Sequence, residues 1–259
     1  MKIFSWIIKD TSIDFLGYRK LAYALSAVLL AASIASVAVR GFNYGIDFSG
    51  GVLIEVKSKN GPVDVDKVRH ELDTLNLDEL NLQSFGDAQD ELMIRAQANN
   101  ADEESQRVAV KQIKEMLEND FTFERIESVG PQVGDELKLS GILASVFAML
   151  AISLYIWFRF EWKFAVGALL GLFHDLLITV GLVSIFHLDF SLTTIAAILT
   201  LAGYSVNDTV VTYDRVRENL QKYKKMPQYD LLNKSINDIF SRTILTGITT
   251  FLASVALLI

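Results

Sequence analysis

Cysteine is absent from the 259-residue chain. Its absence excludes disulfides and thiolate sites and leaves the compartment open, since a cysteine-free domain suits either side of a membrane. Histidine is scarce, and the three present are scattered without the spacing of a metal site. A basic surplus is missing as well. Against 24 Lys and Arg stand 31 Asp and Glu, a net charge of −7, which argues against a nucleic-acid partner. No activated nucleophile, metal-ligating cluster or nucleotide loop is present, so no metal, cofactor or enzymatic activity is expected. What the chain has is 51% hydrophobic residues and a mean hydropathy of +0.32 beside 21% charged residues. That combination resolves by segregation into apolar spans and one charged domain.

Residues 1–20 are short and basic, with Lys2, Lys9, Arg19 and Lys20, and 21–39 form an uninterrupted apolar stretch. It is longer than the apolar core of about 7–15 residues of a signal peptide, so a retained first span is expected. The positive-inside rule puts the N-terminus in the cytoplasm. A charged region at 40–135 follows. It opens on the turn-rich GFNYGIDFSGG, whose Gly45, Asp47, Gly50 and Gly51 lack the GK[ST] ending of a phosphate loop. A hinge or tight packing against a neighbour fits better. Strand alternation in VLIEVKSK, a helix at 63–75, strands at 82–85 and 91–97 around turn residues Gly86, Asp87 and Asp90, a helix at 104–117 and a strand at 121–129 complete the region. The order β-α-β-β-α-β is ferredoxin-like. Acidic residues outnumber basic ones there about two to one, which fits an extracytoplasmic domain.

Apolar sequence resumes over 136–259. Residues 140–158 carry a small-residue face (Gly141, Ala144, Ser145, Ala148, Ala151), and Arg159, Glu161 and Lys163 make a charged turn. In 164–186 Gly167 and Gly171 form a small-xxx-small pair, with His174 and Asp175 near the middle. A fourth span starts at Ser191. Residues 213–241 are a basic cytoplasmic loop whose amphipathic half, 229–240, suits the membrane surface, and a fifth span runs over 243–259. The sequence stops in apolar residues, and five spans would leave the C-terminus outside, so a sixth span is expected beyond Ile259.

The fourth span is unusual in placing Asn207 and Asp208 within its own apolar run. A carboxylate in a spanning helix costs roughly 2.5–3.5 kcal/mol on insertion scales. Thr193, Thr200, Tyr204, Ser205 and Thr212 fall within roughly 80 degrees of Asp208 on an ideal helix, a stripe that should face protein or water. Arg242 opens the next, antiparallel span, so Asp208 and Arg242 are expected at similar depth. An unpaired buried carboxylate favours its protonated form and a neighbouring arginine the charged form. The pair is therefore either a proton carrier or a static ion pair locking two helices. Asn207, about 100 degrees away, is expected to bond a neighbouring helix. His174 and Asp175 either extend a relay or hold helices together.

GFNYGIDFSGG after a first span, and GYSVNDTVVTYDRVREN leaving the fourth, resemble the two signature segments of the SecF family of protein-export membrane subunits. The HD of His174 and Asp175 and SRTILTGITT at the fifth span are similar to that family too. The resemblance implies a polytopic helical membrane protein with a bundle of the resistance-nodulation-division type and one ferredoxin-like extracytoplasmic domain. It implies six spans, of which this sequence holds five. By resemblance Asp208 is the protonatable carboxylate and Arg242 its charge partner, so that the proton-motive force drives preprotein translocation at the inner membrane. The implied partners are SecD, the SecYEG translocon, YajC, preproteins and lipid. H⁺ is the expected coupling ion, with Na⁺ open because Ser205, Asn207 or Thr209 could add oxygens to one carboxylate. Two other functions stay open: a small-molecule exporter of the same superfamily, and a non-transporting scaffold of the translocon.

Overall fold

The computed structural model describes residues 11–75, 77, 79–86, 88–97 and 103–256. Lys2 and Lys9, the turn residue Asp87 and the last three residues of the expected fifth span lie outside the described residues. Among the described residues, five helices are long and apolar enough to cross a membrane: α1 (Arg19–Arg40), α5 (Pro131–Arg159), α6 (Trp162–Ile185), α7 (Leu192–Lys222) and α8 (Gln228–Ala256). Their ends follow from local chemistry. Gly41, at φ 68°, stops α1 in a conformation that side chains resist. Pro131 stands at the first position of α5, where its missing N–H costs nothing.

The chain forms two compact units. The first holds α1, the C-terminal half of α5, α6, most of α7 and α8. α1 and α6 meet along a seam of small residues. Ser26 bonds His174, Ser36 bonds Ser184 at 2.9 Å, and both pairs lie 148 residues apart. A constant offset means parallel helices in fixed register, as the first and third crossings of an alternating bundle require. At the same offset Ser33 fills the space left by Gly181, and Ser184 also donates to the Gly41 carbonyl at 2.8 Å. Close approach of this kind is how helices associate where lipid removes the hydrophobic incentive. The second seam joins Ile156, Phe160, Ala165, Ala168, Leu172, Ala202 and Val206. Of the expected Gly167/Gly171 pair, only Gly167 meets a neighbouring helix. Gly167 makes room for the Tyr213 hydroxyl, 2.8 Å from where a Cβ would sit, and Gly171 faces open space.

The amphipathic stretch expected as a separate surface helix instead continues unbroken into the fifth apolar stretch as α8. Neither proline nor glycine interrupts residues 228–246, so no local signal ends the helix at Arg242. Its first half holds the start of the described chain. Asn233 Oδ1 accepts from the Phe15 N–H at 2.8 Å, and Asn237 exchanges two bonds with the Ile13 backbone, each 2.9 Å. The Phe15 ring packs tilted against Phe240, centroids 5.1 Å apart.

The second unit contains residues 42–147 and 187–196. Its sheet has the order β3 (Glu79–Phe85), β4 (Glu91–Gln97), β2 (Gly51–Ser58), β5 (Phe121–Val129), every pair antiparallel. With α3 (Val65–Leu72) and α4 (Glu103–Leu117) between strands, this is the ferredoxin-like arrangement the sequence order implies. Alternate residues Val52, Ile54 and Val56 meet Leu92, Ile94, Val68, Leu72, Ile113 and Leu117 in one core. Asp64 caps α3 by accepting from the Lys67 N–H.

The glycine-rich segment packs within this second unit. β1 (Asn43–Tyr44) pairs in parallel with β6 (Asp189–Phe190), and the short helix α2 (Ile46–Ser49) follows. Asp47 Oδ2 accepts from the Leu192 N–H at 2.9 Å and so caps α7 from across the sequence. Gly45 approaches Ser191 closely, and Gly50 lies against Gly134. Gly51 has φ 113°, and a Cβ there would stand 2.8 Å from the Ala96 carbonyl. Arg95 bonds Asp189 and reaches Asn43, tying β4 to the two-stranded sheet of β1 and β6.

Candidate functional site

Three helical faces of the first unit converge on a cavity of about 570 Å³. α6 supplies Asp175, Ile178 and Thr179; α7 supplies Leu201, Tyr204, Ser205 and Asp208; α8 supplies residues from Thr246 to Ser254. Each set follows three- and four-residue spacing, which places its members on one side of a helix. Of the polar stripe expected on the fourth span, Tyr204, Ser205 and Asp208 line the cavity, and Thr193, Thr200 and Thr212 lie outside its lining. On α8 the hydroxyls of Thr246, Thr250 and Ser254 donate to the carbonyls four residues back, at 3.0, 2.9 and 3.0 Å. With their donors engaged inside the helix, these oxygens meet the cavity as acceptors. Two carboxylates and a row of acceptors suit a cation or a proton, and disfavour an anion. Among the described residues no group of three metal-ligating side chains occurs.

Behind the cavity a hydrogen-bonded chain crosses three helices. Ser26 of α1 contacts His174 Nε2, and His174 Nδ1 lies 2.9 Å from Asp175 Oδ1. Ser205 Oγ donates to Asp175 Oδ2 at 2.7 Å. His174 and Asp175 thus hydrogen-bond to neighbouring helices, and the chain leads into the same cavity as Asp208. Sequence reasoning did not single out Ser26. The signal that could have found it is the recurrence of Ser26, Ser33 and Ser36 on one face of an otherwise aliphatic span.

The register of α7 against α8 decides what stands opposite Asp208. Asn219 Nδ2 donates to Ser235 Oγ at 2.9 Å and to Asp238 Oδ2 at 3.0 Å; Arg215 also pairs with Asp238 at 3.0 Å. Eleven residues back from Asn219 is Asp208, and eleven forward from Ser235 is Thr246; the cavity lining unites these two. Seven residues back and forward gives Thr212 opposite Arg242. The expected Asp208–Arg242 pair is thus one turn, about 6 Å, out of register. Arg242 is exposed, and among the described residues no ion pair joins it to Asp208. Its carbonyl accepts from Thr246, so it shares the cavity's face of α8 without lining the cavity. Asn207 is exposed and bonds no neighbouring helix among the described residues, and Thr209 is half-buried outside the cavity lining. Gly45, Asp47, Gly50 and Gly51 belong to the other unit.

Asp214 and Arg215, adjacent on α7, engage different neighbours. Asp214 pairs with Arg159 at 2.6 Å, and Arg215 joins the Asn219–Ser235–Asp238 cluster. Asn219 and Ser235 are nearly inaccessible, at 1% and 0% exposure. These two small polar residues set the hairpin register, and neither drew notice in the sequence.

The family described as protein export membrane protein SecD/SecF, C-terminal, matches residues 109–259, and the SecD/SecF GG motif matches residues 35–61. The chain is 45% identical over 250 residues to the protein translocase subunit SecF of Rickettsia rickettsii, covering 95% of this chain and 80% of that one. To the Rickettsia bellii SecF it is 44% identical, covering 95% and 81%. Among solved structures, the crystal structure of SecDF from Thermus thermophilus, a translocon-associated membrane protein, superposes with a TM-score of 0.83 at 33% identity. That match takes in all of this chain and 34% of the SecDF chain. A crystal structure of SecDF in a super-membrane-facing form gives 0.66 at 34% identity, over 98% of this chain and 34% of the other. The chain therefore spans about a third of each SecDF polypeptide.

Proposed function

The chain belongs to the SecF family of protein translocase subunits, and from that premise we propose that it couples the proton-motive force to preprotein translocation, with Asp208 as the proton-carrying group. Family membership gives it a role in Sec protein translocation, and its five apolar helices make it a multi-pass protein of the inner membrane. The coupling mechanism is our own reading. The observation that carries it is the shared cavity. Asp175 and Asp208, from different helices, line one largely apolar space of the bundle together with the hydroxyl acceptors of α8. A space of this size with several polar partners can hold water. A carboxylate there can take a proton from one side and release it to the other as the helices shift. Roughly 2.3 kcal/mol per 100 mV is available for each charge crossing the membrane.

In this reading SecD completes the bundle, SecYEG and YajC are the neighbouring machinery, and preproteins are the load. The ferredoxin-like domain works on the extracytoplasmic side, and the protein acts by coupled movement without cofactor or covalent catalysis. Arg242, one turn from Thr246 on the cavity's face, would reach Asp208 only in a second state in which α8 has moved along α7.

The test is Asp208→Asn in the SecD complex reconstituted into vesicles. Proton flux and gradient-stimulated export should both fall to background while the two subunits still copurify. Full flux in that variant would overturn the reading. Loss of assembly in place of flux would favour a scaffold, and retention of export on a sodium gradient alone would make Na⁺ the ion.

A further inference from the structure

We infer that His174 is a proton-transfer residue: the chain Ser26–His174–Asp175 delivers protons to the cavity of Asp208 from the α1 side. The inference rests on the proton-coupling reading above and assigns it an entry path. His174 lies twelve residues into α6 from Trp162, about 18 Å along the helix, where an imidazole is costly unless used. Both ring nitrogens are engaged, Nδ1 by Asp175 and Nε2 by Ser26. Both oxygens of Asp175 are engaged as well, Oδ1 by the ring and Oδ2 by Ser205, while the carboxyl lines the cavity. The result is a continuous donor–acceptor line from α1 through α6 to the space that Asp208 shares.

The step moves protons only. With Asp175 ionised, Nδ1–H donates to Oδ1 and Nε2 accepts from the Ser26 hydroxyl. A proton taken up at Nε2 lets the Nδ1 proton pass to Oδ1, giving neutral imidazole and neutral carboxylic acid. Asp175 then releases that proton into the cavity, to water or to Asp208; Ser26, having handed its hydroxyl proton to Nε2, regains one from water, and a flip of the imidazole returns its remaining N–H to the Asp175 side. Ser205 branches the line at Asp175 Oδ2 and Thr179 adds a hydroxyl to the lining; among the described residues the titratable groups on the line and the lining are His174, Asp175, Tyr204 and Asp208. α1 brings Ser26; α6 brings Asp175; α7 brings Ser205, Tyr204 and Asp208 through the cavity; α8 brings only Thr246, Thr250 and Ser254 as polar side chains to the lining.

A purely structural histidine could be replaced by an amide, because glutamine can hydrogen-bond both neighbours but cannot carry a proton. The experiment is His174→Gln in the SecD-containing complex in vesicles, with copurification as the control for assembly. Proton flux is expected to fall at least about tenfold, with an altered pH profile. Ser26→Ala should lower flux several-fold and Ser26→Thr should restore it. Wild-type flux with an unchanged pH profile in His174→Gln would overturn the inference. His174→Gly supplied with free imidazole is the second variant: recovery of flux supports transfer through the ring, and no recovery in the assembled complex overturns it. Asp208→Asn run alongside separates the two claims. If it blocks flux while His174→Gln does not, only the entry path is wrong; if it too carries full flux, the proton-coupling reading fails with it.

Discussion

Gly181→Ala adds one methyl group at the tightest point of the α1–α6 seam. The new Cβ falls on the Ser33 side chain and 2.6 Å from the Ser33 Cα. Carbon atoms pack at about 3.5–4.0 Å, so α1 must retreat by about 1 Å or more. The obstacle is backbone as well as side chain, so a rotamer change cannot absorb it. Retreat also stretches the Ser36–Ser184 bond at 2.9 Å and the Ser26–His174 bond one and two turns to either side. Overpacking costs about 1–3 kcal/mol, and interhelical hydrogen bonds in membranes average roughly 0.6 kcal/mol each, so a loss of about 2–4 kcal/mol is expected. Because the chain has no native cysteine, a Ser36→Cys/Ser184→Cys pair reports the seam cleanly. Oxidative cross-linking should be fast in the parent and slowed by Gly181→Ala. Thermal unfolding of the purified complex without the reporter cysteines should fall in step, and Ser33→Gly should return part of the loss. Unchanged cross-linking and unchanged melting in Gly181→Ala would refute the seam geometry.

Two further outcomes are expected. Asp47→Ala removes the cap on the Leu192 N–H and should destabilise the start of α7 by about 1 kcal/mol, seen as faster amide exchange over residues 192–195, with Asp47→Asn close to the parent. Lys57 lies beside Glu91 at 2.8 Å and Asp90 at 3.5 Å; its hydrogen bond to Glu91 and the two negative charges raise its pKa above the ordinary lysine value. A raised lysine contributes stability that is fully present below the unfolded-state value and lost as pH climbs through the folded one. Lys57→Met should therefore differ from the parent at neutral pH and converge with it in strongly alkaline buffer, by denaturant titration of the complex.

Elements written in local pattern were legible in the sequence. Aliphatic runs announced the five long helices, and the two-residue alternation of Val52, Ile54 and Val56 announced a half-buried strand. Asp208 stood out because a charge in an apolar run is costly wherever its partner lies. Its partner was another matter. Which residue faces Asp208 depends on helix register, and that is set two to three turns away by the buried Asn219–Ser235 contact. Reading depth from helix ends alone put Arg242 there, one turn too early. The α1–α6 seam was hidden for a related reason. Ser26, Ser33 and Ser36 are unremarkable until Gly181 and Ser184 are seen at the same offset on a helix more than a hundred residues later. The continuity of α8 was overlooked because a change from amphipathic to apolar composition looks like a boundary, although the backbone has no reason to break there.

That continuity has a mechanical consequence. At 1.5 Å per residue, α8 is a rod of about 43 Å. One end is clasped by the Ile13–Phe15 backbone and by the Arg215–Asn219 clasp; the other forms a wall of the chamber containing Asp208. A shaft without a joint transmits tilt and slide from end to end. A small displacement at the lysine-rich loop would thus be felt at Thr246 and Thr250, and a rearrangement at the carboxylates would be felt at the Asn233 and Asn237 ties. Since those ties also grip the segment leading into α1, the helix bearing Ser26 is harnessed to the same shaft.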